Sequence, residues 1–190
     1  LGRDVIELVD GLDIRKFHFL GLSLGGFIGQ WLGIHTPERI DRLILSNTAA
    51  HLGPVAYFDR SIADLLKAPD MRATAETFLK NWFPPTMFES ANPIVEKFRG
   101  TLLSTDKCGL AGAWAAVRDA DLRRTISLID LPTLVIAGKD DTVTSAELGA
   151  DVASRIPNAQ LRVLPTVHLS NVELPDEYSG LVTDFLIGGH

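Results

Sequence analysis

The sequence predicts an α/β fold: a mostly parallel sheet with helices on both faces and a helical cap, or lid, inserted between its strands. Three observations carry this. Short strand-like runs at 16–20, 42–47, 132–138 and 160–164 alternate with segments of helical character, the alternation that builds parallel sheets. Gly21-Leu22-Ser23-Leu24-Gly25-Gly26 lies between the first run and an apolar segment of helical length, so a strand turns sharply into a helix around a serine. Between 51 and 125 the β-branched runs vanish and helical patterns take over. The expected division is core over 1–50, cap over 51–125 and core again over 126–190.

The elements follow in order. Residues 4–10 place Val5, Ile6, Leu8 and Val9 between acids, an amphipathic helix, and Gly11 is its expected stop. Residues 16–20 read as a short buried strand, with His18 expected to be buried beside its neighbours. Glycines flank Ser23 because the turn is too tight for a Cβ on either side. Gly25, Gly29 and Gly33, four apart, form a smooth face on which the helix packs closely against the sheet. Pro37 ends that helix, since the residue before a proline disfavours the helical region. Residues 38–41 read as a connector and 42–47 as the second strand, completing a parallel βαβ unit. In the cap, helices are expected over 60–67, 71–82, 93–103 and 106–120; Pro84 and Pro85 end the second, and Ser104, Thr105 or Asp106 caps the fourth. The cap also holds most of the aromatic residues, among them Phe78, Trp82 and Trp114. The run at 132–138 is continuously apolar, as buried parallel strands are. A helix over 145–156, a strand over 160–164, a loop holding His168 and a helix over 175–186 close the chain.

Composition narrows the function. The 190 residues, 46% of them hydrophobic, suffice for one sizeable core. A net charge of -6 and a pI near 5.3 argue against nucleic acid or an anionic membrane as partner and leave a small-molecule substrate. Cys108 is the single cysteine, so no internal disulfide forms, which fits a reducing, cytoplasmic setting. The longest apolar stretch, 17–34, is broken by His18, Ser23, Gln30 and five glycines and is no membrane span. There is no H-E-x-x-H or C-x-x-C pattern, and the glycine turn fits neither a P-loop nor G-x-G-x-x-G, so no metal and no other cofactor is expected. The chain opens with Leu1, inside a helix, which raises the expectation that strands are missing upstream.

Ser23, then Asp140 or Asp141, then His168 fall at the carboxyl ends of three expected strands, the edge where open α/β sheets bind and react. A serine hydroxyl is a poor nucleophile until a histidine takes its proton, and the histidine needs a carboxylate to fix its tautomer. Ser…Asp…His is the chain order expected when a serine at such a turn is the nucleophile. The backbone N–H of Leu24, next in the chain, is a natural oxyanion donor. Taken alone, the turn also reads as a glycine-rich connection whose serine caps the helix. His35 and His190 are expected at the surface or terminus, and His51 stands where the cap begins.

Gly21 to Gly33, Pro37-Glu38-Arg39, Leu43 to Ala49, Ala120-Asp121-Leu122-Arg123, Pro132 to Gly138 and His168-Leu169-Ser170-Asn171-Val172-Glu173 together resemble an α/β-hydrolase of the 3-oxoadipate enol-lactonase family. The resemblance implies the α/β-hydrolase fold, Ser23 as nucleophile, His168 as base, and Asp141 rather than Asp140 as acid. The family's aspartate stands three residues after the glycine matching Gly138. It also implies hydrolysis of 3-oxoadipate enol-lactone to 3-oxoadipate, a step of the β-ketoadipate pathway of aromatic catabolism. The family carries strands before the helix that opens this chain, and a loop there, usually beside a His-Gly pair, donates the second oxyanion N–H. This chain accordingly reads as the C-terminal part of such an enzyme, its first strands absent. The substrate's free carboxylate calls for a cation; Arg118 and Trp114, one helical turn apart in the cap, are the candidates for carboxylate and ring contacts. The bland alternative makes Trp114 cap core and Arg118 a solvated residue. Rival readings are a carboxylesterase, a C–C bond hydrolase or a cofactor-free haloperoxidase type, and, from another class, a non-catalytic small-molecule-binding protein on this fold.

Overall fold

The computed structural model describes residues 1–90 and 92–188; the expectation for His190 lies outside them. In chain order the elements are α1 (Gly2–Gly11), β1 (Phe17–Leu22), α2 (Leu24–His35), a 3-10 turn (Pro37–Arg39) and β2 (Ile40–Ser46). The cap follows as α3 (Val55–Lys67), α4 (Arg72–Trp82), α5 (Pro85–Glu89), α6 (Pro93–Leu103) and α7 (Lys107–Asp119). A second 3-10 turn (Ile126–Leu128), β3 (Thr133–Gly138), α8 (Ala146–Arg155), β4 (Ala159–Leu164), α9 (Ser170–Glu173) and α10 (Pro175–Ile187) complete it.

The four strands form one parallel sheet in the order β1-β2-β3-β4, with Gly21 opposite Leu45, Leu45 opposite Val135 and Val135 opposite Leu161. Parallel strands end on the same edge, so the residues after Leu22, Ser46, Gly138 and Leu164 all converge there. β2 and β3 read as apolar runs because both their faces are covered. On one face Leu43, Leu45 and Val135 pack with Leu32 of α2 and Val152 of α8; on the other Ile44, Leu134 and Ile136 pack with Tyr178 of α10.

Several expectations need correcting. α1 runs through Gly11, and the left-handed residue that ends it is Asp13 (φ 56°), after which Ile14 N–H donates to Val9 O at 2.9 Å; aspartate is among the few residues that visit this region. The glycine face of α2 is Gly26, Gly29 and Gly33: a Cβ on Gly26 would strike Thr48, and one on Gly29 would stand 2.9 Å from Leu45, whereas Gly25 faces open space. His18 is exposed, because β1 pairs only with β2 among the described residues and α10 reaches only the strands beyond it. Among the described residues the cap has five helices rather than four; Pro85, taken as a breaker, opens the short α5 at a position where its missing N–H costs nothing.

α3 packs along α7, and α4 against α6, in the cap. Leu79, Phe83, Val95 and Leu102 form a cluster that also takes in Leu22 and Leu169, the chain neighbours of Ser23 and His168. The cap therefore sits on the carboxyl edge of the sheet. Its entry and exit are stitched together: His51 bridges Asp121, and Leu122 N–H donates to Ala50 O at 2.8 Å.

Candidate active site

Ser23 follows β1 and precedes α2 with φ 55° and ψ -114°, a strained conformation for a residue with a Cβ. Three bonds impose it. Ser23 N–H donates to Ser46 O at 2.9 Å, while Thr48 Oγ1 and Gly26 N–H donate to Ser23 O, each at 2.9 Å. Gly21 is required, since a Cβ there would run into the Gly25 carbonyl. The Ser23 side chain makes no capping bond to α2, so its hydroxyl is not spent on the helix and the cap reading of the turn falls away. Leu24 N–H is the first of α2 and has no acceptor within the helix.

His168 and Asp141 come from the loops after β4 and β3. His168 is 1% exposed and Asp141 4%, and His168 Nδ1 stands 2.8 Å from Asp141 Oδ2. An ionised carboxylate only accepts, so Nδ1 carries the proton and Nε2 is left as the basic nitrogen. Asp140, one residue earlier, is exposed. Asp141 Oδ1 accepts from the N–H groups of Val143 (2.8 Å) and Thr144 (3.0 Å); Oδ2 accepts from Thr144 Oγ1 (2.9 Å) and Asn47 Nδ2 (3.1 Å) besides the imidazole. Burial presses the Asp141 carboxyl upward, but the hydrogen bond and charge of His168, the Thr144 N–H and the Asn47 amide together hold it below the ordinary carboxylate value. The His168 loop is braced by Val167 N–H donating to Glu173 Oε2 at 2.9 Å and by the Thr166 and Ser170 hydroxyls, 2.6 Å apart.

Ser23 Oγ and His168 Nε2 are not hydrogen-bonded to each other among the described residues. Such contacts are often long without substrate and tighten in the bound complex. Leu22 and Leu169, packed in one cluster, hold the two loops on the same side of the sheet edge.

The two cap candidates stand differently. The Arg118 guanidinium is held by Asp59 Oδ1 at 2.8 Å and by both oxygens of Asp119 at 2.8 and 3.1 Å, so its charge is already paired with two carboxylates. Trp114 is half-buried in the cap interior between the Phe58–Val117 and Leu65–Ala111 clusters, its ring 5.8 Å from that of Phe78. His51 Nδ1 meets Ala120 O at 3.2 Å at the cap base. Among the described residues no three His, Cys, Asp or Glu side chains are grouped so as to hold a metal ion, and no helix is long and apolar enough to cross a membrane.

Sequence reasoning gave no role to Thr144, Asn47 or Glu173, all of which bond to the Asp141–His168 pair or its loop. Thr144 had a signal: a threonine three residues after an aspartate is the turn in which the carboxylate gathers the next N–H groups. Glu173 had none, since its bond depends on how tightly α9 turns back on Val167.

Residues 1–174 match the family described as the alpha/beta hydrolase fold. The chain is 38% identical over 182 residues to 3-oxoadipate enol-lactonase 2 of Acinetobacter baylyi, covering 96% of this chain and 68% of that one. It is 30% identical to a protein of Agrobacterium fabrum named for carbamate hydrolysis, RutD, covering 97% and 72%. Among solved structures, a hydrolase from Pseudomonas aeruginosa superposes with a TM-score of 0.97 at 56% identity, covering 100% of this chain and 71% of that one. The enol-lactonase of Burkholderia xenovorans LB400 superposes with a TM-score of 0.95 at 34% identity, covering 98% and 72%.

Proposed function

Because the chain belongs to the alpha/beta hydrolase fold family, we propose that it is a serine hydrolase that opens 3-oxoadipate enol-lactone to 3-oxoadipate. The observation that carries the hydrolase reading is the buried 2.8 Å contact between His168 and Asp141 at the sheet edge that also bears the strained Ser23. The substrate is supported by the likeness to enol-lactonases.

In this reaction Ser23 Oγ attacks the lactone carbonyl and His168 Nε2 takes the hydroxyl proton. The oxyanion that forms is met by the Leu24 N–H; a donor of this kind is worth about 2.7–4 kcal/mol. Collapse breaks the ring C–O bond, and the imidazolium returns its proton to the departing enol oxygen. An enol leaves more readily than an alcohol, so the demand on His168 as an acid is modest. The free enol tautomerises to the ketone. Water, deprotonated by the same nitrogen, then attacks the acyl-enzyme and frees Ser23. Asp141, kept ionised by its donors, balances the imidazolium charge in both halves.

A Ser23→Ala variant is expected to lose turnover by about 10⁴-fold or more while binding substrate, as single removals from such units do. Retention of activity would sink the reading. One observation favours a second substrate class: Arg118, the cap cation proposed for the substrate carboxylate, is already held by Asp59 and Asp119. Simple esters or carbamates need no such cation. A panel of the enol-lactone, an aryl ester and an aryl carbamate decides between them; faster turnover of either neutral substrate overturns the lactone.

A further inference from the structure

We propose that Asn47 is a positioning residue for the Asp141–His168 pair, its side-chain amide fastening both the acid and the histidine loop to the end of β2. As a statement about catalysis this rests on the hydrolase reading above; as a statement about the pair it does not. Asn47 is fully buried and takes the left-handed conformation, φ 43°. Asparagine tolerates that region better than other residues with a Cβ. Its own N–H donates to Ile136 O at 2.8 Å, which anchors its backbone to the sheet. The side chain then spans three partners. Oδ1 accepts from Ser46 Oγ at 2.9 Å, while Nδ2 donates to Asp141 Oδ2 at 3.1 Å and to Val167 O at 3.3 Å. The orientation of the amide follows from chemistry: a carboxylate and a carbonyl only accept, so the NH₂ must face them.

The fold makes room for this contact. A Cβ on Gly138 would stand 3.1 Å from Asn47 Nδ2 and collide with Val167 O, so the glycine after the Val135–Ala137 run lets the amide, the acid and the loop close together. The side chains bonded to Asp141 are His168 from the loop after β4, Thr144 from the turn into α8, and Asn47 from just beyond the end of β2. Lys139 and Asp140 are exposed, Glu173 is bonded to Val167 N–H, and Tyr178 of α10 is buried in the Ile44–Ile136 cluster. Asn47 is therefore a neutral donor that reaches the carboxylate from the β2 end, distant in the chain from the Val143–Thr144 turn, without adding charge to it.

The test compares Asn47→Asp and Asn47→Gly with the unchanged chain and with Ser23→Ala, folding being checked by thermal unfolding. Aspartate keeps the shape and the left-handed tolerance but replaces the donor by a second carboxylate; glycine removes the amide and relieves the backbone. For Asn47→Asp, kcat at neutral pH is expected to fall about 10–100-fold with KM little changed, by analogy with the loss of partners that orient metal-bound histidines. The acid limb of its kcat/KM profile should move to higher pH, because a second negative charge favours the protonated imidazole. Asn47→Gly should lose kcat with a smaller movement of the limb. If Asn47 variants fail to fold, Ser46→Ala, which removes the brace on Oδ1, is read the same way, with Tyr178→Phe as the control for the Ser46 contact with the Tyr178 hydroxyl. A substrate-free readout runs beside these: the downfield proton resonance of His168 Nδ1–H should shift in every folded variant of Asn47 or Ser46. Folded variants with unchanged kcat, acid limb and resonance overturn the proposal. Activity surviving in Ser23→Ala while the resonance still shifts overturns the hydrolase reading and leaves the positioning role standing.

Discussion

At Asp141 five donors meet one carboxylate, and their balance against burial decides the behaviour of the pair. Its carboxyl is held below the ordinary value, 3.8, so it contributes stability that is fully present above that pH and is lost as pH falls through the lower, folded value. Asp141→Asn should abolish that acid-side dependence, seen as a flatter plot of melting temperature against pH below about pH 4. It should also cost about 10⁴-fold in kcat, because an amide can turn its NH₂ toward Nδ1 and force the wrong tautomer. An equally steep acid-side loss of melting temperature in the variant would refute the first part. At this scale the sequence was informative where chain order and strand ends coincide, at Ser23 and His168. Pattern alone left Asp140 and Asp141 open, because neighbouring residues at a strand end share its features, and only the family resemblance pointed to Asp141; the turn taken by the backbone makes Asp141 buried and Asp140 exposed. Arg118 was chosen for its charge and place on a helix, and neither reveals that Asp59, far away in the chain, reaches it.

At the scale of elements, the alternation of strand-like runs and helical patterns located the four strands among the described residues; β2 and β3 were plainest, because covered parallel strands are apolar throughout. What it missed were short pieces such as α5 and α9, whose few residues carry no periodicity. The glycines around the elbow show the same limit. Spacing suggests Gly25, but packing selects Gly26, because Thr48 stands where its Cβ would be. This gives a paired prediction. Gly138→Ala should destabilise the protein by about 1–3 kcal/mol, the usual cost of overpacking, since the new methyl meets the Thr166 and Val167 carbonyls and must push the His168 loop off Asp141. Gly25→Ala, with nothing within 4 Å of the added Cβ, should raise stability, by about 0.5–1 kcal/mol from helix propensity. Chemical denaturation of both variants reads the two signs; a destabilised Gly25→Ala or a neutral Gly138→Ala would contradict the packing described.

At the scale of the whole molecule, the side of β1 departs from the expectation of a buried first strand. The apolar run at 17–20 reads as a buried strand, yet its burial alternates: Phe17 and Phe19 are half-buried against the α1–α2 side, while His18 is exposed and Leu20 is 42% exposed. The reason is global. α10 covers Ile44, Leu134, Ile136 and Leu164 but stops short of β1, so the pattern of a strand cannot tell whether a partner layer reaches it. Among the described residues β1 also pairs on one side only, leaving a row of backbone donors and acceptors beside exposed apolar side chains. An open edge of that kind is a template for pairing with another chain. The 190-residue chain is therefore expected to self-associate as concentration rises, and Leu20→Lys, which places a charge on the open face, should weaken the association. Light scattering across a dilution series measures the first effect, and thermal unfolding of the variant shows whether the fold is kept. A well-folded Leu20→Lys protein that associates as strongly as the unchanged chain would mean that the contact forms elsewhere and that the uncovered face of β1 is inert.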